Sequence, residues 1–398
     1  MWSLVVDIWG WLQGRFGELI GGIIAGAVVT LTVVFAGIVR RAIYYFWRIH
    51  KAKADVACSE PQKEGPGVWV AKPLNKPRQY REVLFSFSKV LIIANLKGGV
   101  GKTTLSANLG AYLAGKIKKP VLLIDLDFQG TLSAMACPND WLPHPTGYSS
   151  WANRLVSGGL SPFDIASIKL HAQNHLRLRL IPSYYDLAQA ENRVMIEWLL
   201  SNRKCDIRYR LADLLNSDHV LETYGAIIID AAPRLTTASV QALCAASHLL
   251  IPTILDKPSI DPVLGFVRQV EQLKSASVCP HLRHLGVVAS MVDAREQFSS
   301  QLFDLNHKLQ RIRNADGEIV TRLLGGDAIG AIDDRDNKRR FLDKRLYLPR
   351  ASVFRHAGEQ GIVYPLTNPA DAPNVNECIE ALGRHVAREM NLEINGAL

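Results

Sequence analysis

The residues best equipped for chemistry lie in one run, Lys97-Gly98-Gly99-Val100-Gly101-Lys102-Thr103-Thr104. Gly98, Gly99 and Gly101 permit positive φ and close approach, so consecutive backbone N–H groups can ring an anion. Lys102 adds an ammonium, and Thr103 and Thr104 add hydroxyls. That donor set suits a nucleoside triphosphate, with Lys102 on the β- and γ-phosphates and Thr103 offering its hydroxyl to Mg²⁺. Leu96 stands where the general pattern has glycine, and a second lysine, Lys97, opens the loop. Phosphoryl transfer to water also needs metal-holding and water-orienting groups. Asp230, closing the apolar run Ile227-Ile228-Ile229, is the natural carboxylate for metal-bound water. Asp125 and Asp127 sit two apart after the apolar run Leu122-Leu123-Ile124, two further carboxylates near its carboxyl end.

Such a loop works when a strand delivers it and a helix N-terminus receives the phosphate. Here the apolar run Val90-Leu91-Ile92-Ile93-Ala94 precedes it and a helical pattern from Leu105 to Ala114 follows. Strand-like runs at 89–95, 121–125, 226–230, 248–252 and 286–291 alternate with helix-like stretches at 103–117, 186–203, 235–246 and 262–275. Buried strands alternating with helices predict an α/β fold, a mostly parallel sheet covered by helices on both faces. Ligands of such sheets bind at the carboxyl ends of the strands, where the loop and the aspartates converge.

The Lys-Gly-Gly-Val-Gly-Lys-Thr-Thr form resembles the deviant Walker A loop of the ParA/MinD family of P-loop ATPases. Leu122 to Gly130 resembles the family's Asp-x-Asp-Pro-Gln-Gly motif, with Phe128 in place of proline, and Ile227 to Pro233 resembles its Walker B strand. Ile181-Pro182-Ser183, Asp186 to Glu191, Ser290 to Arg295, Leu348-Pro349-Arg350 and Glu359-Gln360-Gly361 are similar to segments of the ParA branch. The likeness runs over roughly residues 88 to 395, with the motifs in family order. It implies ATP and Mg²⁺ as cofactors and slow hydrolysis that switches a homodimer. It also implies that Asp127 orients the attacking water, that Asp125 stands behind the metal held by Thr103 and Asp230, and that Lys97 reaches the partner subunit's nucleotide. A nucleotide shared by two subunits binds the dimer better than the monomer, so ATP drives association and hydrolysis reverses it.

Residues 19–39 carry no charge and are long enough to span a bilayer as a helix. Arg40, Arg41, Arg48, Lys51 and Lys53 follow, whereas only Arg15 precedes, which places the bulk of the chain in the cytoplasm. Trp9 and Trp11 on one side and Tyr44, Tyr45 and Trp47 on the other suit the two interfaces. The expectation is a single-pass anchor over 1–53 in a bacterial-type inner membrane, with Gly22 and Gly26 spaced for close helix packing. Trp2, Val5, Val6, Trp9, Leu12 and Phe16 recur at helical spacing, either as an interfacial helix or as an extension of the span. Residues 54–87, punctuated by Pro61, Pro66, Pro73 and Pro77, read as a linker to an ATPase domain over 88–398.

The chain has 398 residues and a formal net charge of +9, with much of the excess in its first fifth. Six cysteines show no Cys-x-x-Cys spacing, so neither a disulfide framework nor a cysteine-ligated zinc site is indicated. Residues 306–346 read as an insertion of roughly thirty residues beyond a compact domain of this kind. It interleaves Arg335, Lys338, Arg339, Arg340, Lys344 and Arg345 with Asp333, Asp334, Asp336 and Asp343, a self-neutralising surface or a protein or nucleic-acid contact. Two other readings stand beside the switch. A membrane-linked tyrosine autokinase shares the fold, but its kind carries C-terminal tyrosines and here Tyr364 is the last. A nucleotide-binding scaffold with little hydrolysis fits Phe128 and the Ala231-Ala232 pair after Asp230.

Overall fold

The computed structural model describes residues 2–57, 66–73, 89–137, 150–172, 174–201, 206–293, 299–325, 345–355, 361–366 and 374–395. The chain divides into an N-terminal helical unit and an α/β unit.

The N-terminal unit is one helix, α1, Trp2–Ala57. At 1.5 Å per residue it is about 84 Å long, well over the roughly 30 Å of a bilayer's hydrocarbon core. It is long and apolar enough to cross a membrane, and its large apolar side chains are exposed from Trp2 to Ile49. The amphipathic stretch ahead of residue 19 is therefore continuous with the span. Beyond the apolar stretch the Arg48 guanidinium lies 5.3 Å from the Tyr44 ring and the Lys51 ammonium 5.2 Å from the Trp47 ring.

In the α/β unit, eight strands among the described residues form one sheet: β1 (Val90–Ile93), β2 (Val121–Leu126), β3 (His171–Ala172), β4 (His175–Ile181), β5 (Ala226–Ala231), β6 (His248–Ile254), β7 (Arg283–Val292) and β8 (Tyr347–Pro349). The order is β3-β4-β2-β5-β1-β6-β7-β8, and every pairing is parallel except β3 with β4. β1 lies between β5 and β6, so the chain fans out to both sides of the strand that delivers the glycine loop.

The strands are apolar on both faces, and their alternation feeds two cores. Ile92, Ile124, Ile229 and Ile251 face one side, packing with Val240, Leu243, Phe266 and Val270. Leu91, Ile93, Leu123, Ile228 and Leu250 face the other, packing with Leu105, Leu109, Tyr112, Ile379 and Leu382. The helices that matter for the site are α2 (Lys102–Lys116), α3 (Thr131–Ala136), α4 (Asp186–Leu200), α5 (Thr237–Ala245), α6 (Lys257–Ser275) and α7 (Val375–Glu389). α7 crosses α2 closely at Gly383, where a Cβ would lie 2.2 Å from the Tyr112 ring.

Three departures from the expected elements are informative. β4 is not among the expected strand-like runs, although Leu176, Leu178 and Leu180 alternate with Arg177 and Arg179; its short antiparallel neighbour β3 pairs with it. β8 is too short to register as an apolar run. α6 starts five residues before the expected 262, because Pro258 fits a first helical turn, where no N–H partner is needed.

The stretch expected to be a linker is described at 54–57, inside α1, and at 66–73. The latter is docked: Val68 and Trp69 are buried, and Trp69 stacks on Trp198 of α4 at 5.8 Å. Buried Arg208 donates to the Trp69 and Ala71 carbonyls at 2.7 Å each while paired with Asp206. Of the insertion, 326–344 lies outside the described residues. Its last residue by the expected series, Arg345, pairs with Glu377 of α7.

Candidate functional site

The loop after β1 turns through left-handed conformations at Gly99 (φ +70°) and Gly101 (φ +83°), which favour glycine. Gly101 is the N-cap of α2 and no side chain caps that helix, so its first N–H groups remain available to an anion. A Cβ at Gly101 would press on Leu348 at 3.2 Å and Ser290 at 3.3 Å. Ser290 donates to the Val100 carbonyl and fixes the loop from the β7 side. Asn95 fixes its entrance, accepting from the Lys97 N–H at 3.1 Å and donating to the Pro252 carbonyl at 2.8 Å.

Lys102 is buried, and its ammonium donates to the Lys97 carbonyl at 2.9 Å. Burial lowers its pKa, opposed by the carboxylates of Asp230 and Asp127. Those opposing charges place both aspartates in the electrostatic field of the lysine. Parallel pairing sets Asp230 beside Ile93 of β1 and beside Asp125 of β2. Asp230 Oδ2 accepts from Thr103 Oγ1 at 2.7 Å and Oδ1 from Ser106 Oγ at 3.1 Å. Burial, then the Asp125 charge, pushes its pKa up to about 7. A dication beside it would favour the ionised form.

Asp125 is also buried, and its pKa is pushed up to about 6 by that burial. Its oxygens accept from the N–H of Asp127 at 3.0 Å and from the N–H and Oγ of Ser133 at 2.9 and 2.7 Å. Asp125 thus ties α3 to the loop that carries Asp127. Asp127 is half-buried in that loop, where its carboxylate accepts from the Gln129 N–H at 3.1 Å and its carbonyl from the Gly130 N–H at 2.9 Å.

The Lys97 side chain folds back within its own chain. Its ammonium lies 3.4 Å from Asp256 Oδ1 and also donates to Ser259 Oγ, both at the start of α6. Sequence reasoning had no signal for Asp256, Ser259 or Ser106, which are ordinary helix-start and helix-interior residues until the fold sets them against the loop. It marked Met291, Asp293, Leu348, Pro349 and Arg350 only as parts of segments resembling the family, without a role, and did not mark Phe354. With Gly101 and Thr104 they line a cavity of about 400 Å³ beside the loop. That size suits a cofactor fragment. Met291 holds φ +55°, a strained value for a non-glycine residue, at the rim of that cavity. Thr104 therefore faces the cavity, whereas Thr103 faces Asp230.

Taken as a donor set, free helix N–H groups, a buried ammonium and a hydroxyl–carboxylate pair fit the phosphates of ATP and a hard dication. Mg²⁺ takes one or two protein oxygens and keeps the rest for water and phosphate, as Thr103 and Asp230 would supply.

The family model described as an AAA domain matches residues 88–283. The chromosome partitioning protein ParA of Caulobacter vibrioides is 33% identical over 214 residues, covering 54% of this chain and 73% of that protein. The solved structure of apo McdA from Cyanothece shares the fold with a TM-score of 0.55 at 20% identity, covering 75% of this chain and 99% of that one. A putative plasmid partition protein of Borrelia burgdorferi bound to AMPPNP gives 0.50 at 20% identity, covering 76% and 99%. The sequence likeness extends over most of a ParA protein and the fold and loop geometry agree with it: the chain belongs to the ParA/MinD family of P-loop ATPases.

Proposed function

We propose that the protein is a membrane-anchored, ATP-switched homodimer that hydrolyses ATP slowly and positions, recruits or signals to a protein partner, in segregation or in cellular defence. The observation that carries the reading is the junction of Thr103 with Asp230 beside buried Lys102, a site prepared for Mg²⁺ and triphosphate.

When bound, Mg²⁺ supplies charge neutralisation at the phosphates. The chain's own residues do the rest. The Gly98–Gly101 turn and the α2 N-terminus hold phosphate oxygens, and Lys102 compensates their charge. Thr103 and Asp230 hold the metal's ligand positions, with Asp125 behind them. Asp127 orients the attacking water from a loop that Asp125 holds in place. The 400 Å³ cavity along Leu348–Arg350 takes the base.

Lys97 contacts the partner subunit's nucleotide in the dimer. Leaving Asp256 costs little, because both side chains are partly exposed, 27% and 45%, and such pairs are worth about 0–1 kcal/mol. α1 serves as the anchor, with its Arg40–Lys53 end on the cytoplasmic side. A spanning helix is effectively irreversible, so ATP changes oligomeric state on the membrane and not attachment to it.

Radiolabelled ATP and the purified full-length protein test the reading. Released phosphate supports it. Labelled protein would point to the autokinase and bound, unchanged ATP to the scaffold. Recovery of the protein in the soluble fraction after carbonate washing would refute the anchor.

A further inference from the structure

Two side chains near the site have no part in the scheme above, and they touch. Phe128 directly follows Asp127, and Arg234 follows the β5 strand that ends beyond Asp230. The Arg234 guanidinium lies 5.4 Å from the centroid of the Phe128 ring. The same ring meets Tyr185 at 6.2 Å, and Tyr185 meets Tyr184 edge-on at 4.9 Å. Phe128 also packs against the core beneath it, so Arg234 acts on a ring that is already seated. Glu191, which accepts from the Ala238 N–H at 3.0 Å at the start of α5, lies in the field of both Arg234 and Asp127.

The backbone explains why such a contact matters. A proline at 128 would fix φ covalently next to Asp127. Phenylalanine leaves φ free, so the conformation of the loop must be restrained from outside it. One restraint is Asp125, which accepts from the Asp127 N–H. The other is the ring, clamped between the core and an arginine whose own loop is anchored by Asp230's strand. Arg234 is solvent-exposed and bears on no other described ring.

We propose that Arg234 is a positioning residue for hydrolysis: by stacking on Phe128 it ties the Asp127 loop to the loop after β5, so that Asp127 and Asp230 are held at a fixed separation around the phosphates. This inference rests on the ATPase reading and adds to it a residue outside the phosphate and metal contacts proposed above.

The test uses the full-length protein in detergent or nanodiscs, with equilibrium ATP binding, steady-state phosphate release and melting temperature measured for Phe128→Ala, Arg234→Ala, the double variant and Arg234→Lys. A stacked cation at an exposed site predicts a loss of about 2–5-fold in kcat for Arg234→Ala, with ATP affinity and melting temperature unchanged. Arg234→Lys should recover part of the loss, since a lysine keeps the charge but not the planar stack. The double variant should be no slower than the worse single one, because both remove the same contact. Single effects that multiply in the double variant overturn the inference. So does an Arg234→Ala protein that hydrolyses at the parent rate while the parent itself turns over ATP. A parent that neither binds nor hydrolyses ATP overturns the ATPase reading, and this inference with it.

Discussion

Thr103 Oγ1 donates to Asp230 Oδ2 over 2.7 Å although 127 residues of chain separate them. The glycine loop and the β5 strand are thereby tied to each other, with Ser106 holding the second carboxylate oxygen. In the proposed site these two side chains would hold Mg²⁺, and their oxygens already lie together.

Asp127→Ala should leave ATP affinity within about twofold of the parent and lower kcat by about a hundredfold or more, as expected of a group that orients the nucleophile. Phosphate release and equilibrium binding, measured on one preparation, check this. Hydrolysis at the parent rate would pass the role to another carboxylate.

The buried carboxylates make stability depend on pH. Asp125 and Asp230 have folded-state pKa values raised to about 6 and about 7. The folded protein therefore keeps protons that the unfolded chain has already lost, and these residues reduce stability as pH rises from the ordinary carboxylate range to about neutrality. A dication at Asp230 reverses that effect by favouring the ionised form. The rise in melting temperature from Mg·ATP over ATP with chelator should thus be larger at about pH 8 than at about pH 6. Equal rises at both would show that Asp230 does not face the metal.

Lys97→Ala should bind ATP and fail to dimerise with a non-hydrolysable analogue, since the proposed contact lies in trans. Asp256→Ala should act oppositely and tighten the dimer by up to about fivefold, the worth of a partly exposed ion pair released in advance. Sedimentation of both variants decides, and a Lys97→Ala protein that dimerises like its parent would rule out a shared nucleotide.

The docked segment at 66–73 moves the practical domain boundary. A chain beginning at 66 should fold and bind ATP, whereas one beginning at 88 leaves Arg208 without the Trp69 and Ala71 carbonyls and Trp198 without its stacking partner. Trp69→Ala alone should cost about 3–5 kcal/mol, the usual range for a buried tryptophan. Thermal unfolding of the three proteins checks this, and equal melting temperatures would mean the segment is merely adherent.

By itself the sequence determined the phosphate loop, the aspartates at the carboxyl ends of β2 and β5, the α/β class and the apolar N-terminal helix. Each is written in contiguous residues whose spacing dictates local backbone: glycines where φ must be positive, apolar runs at strand length, an uncharged stretch long enough to span a bilayer's hydrocarbon core. Only the tertiary structure decided which side chains share a space. That Lys97 rests on Asp256, that Arg234 covers Phe128 and that a segment expected to be linker packs through Trp69 are all contacts between distant segments. Strand order and register set such contacts, and no local pattern encodes them: β1 had to fall between β5 and β6 before residues 97 and 256, or 103 and 230, could meet.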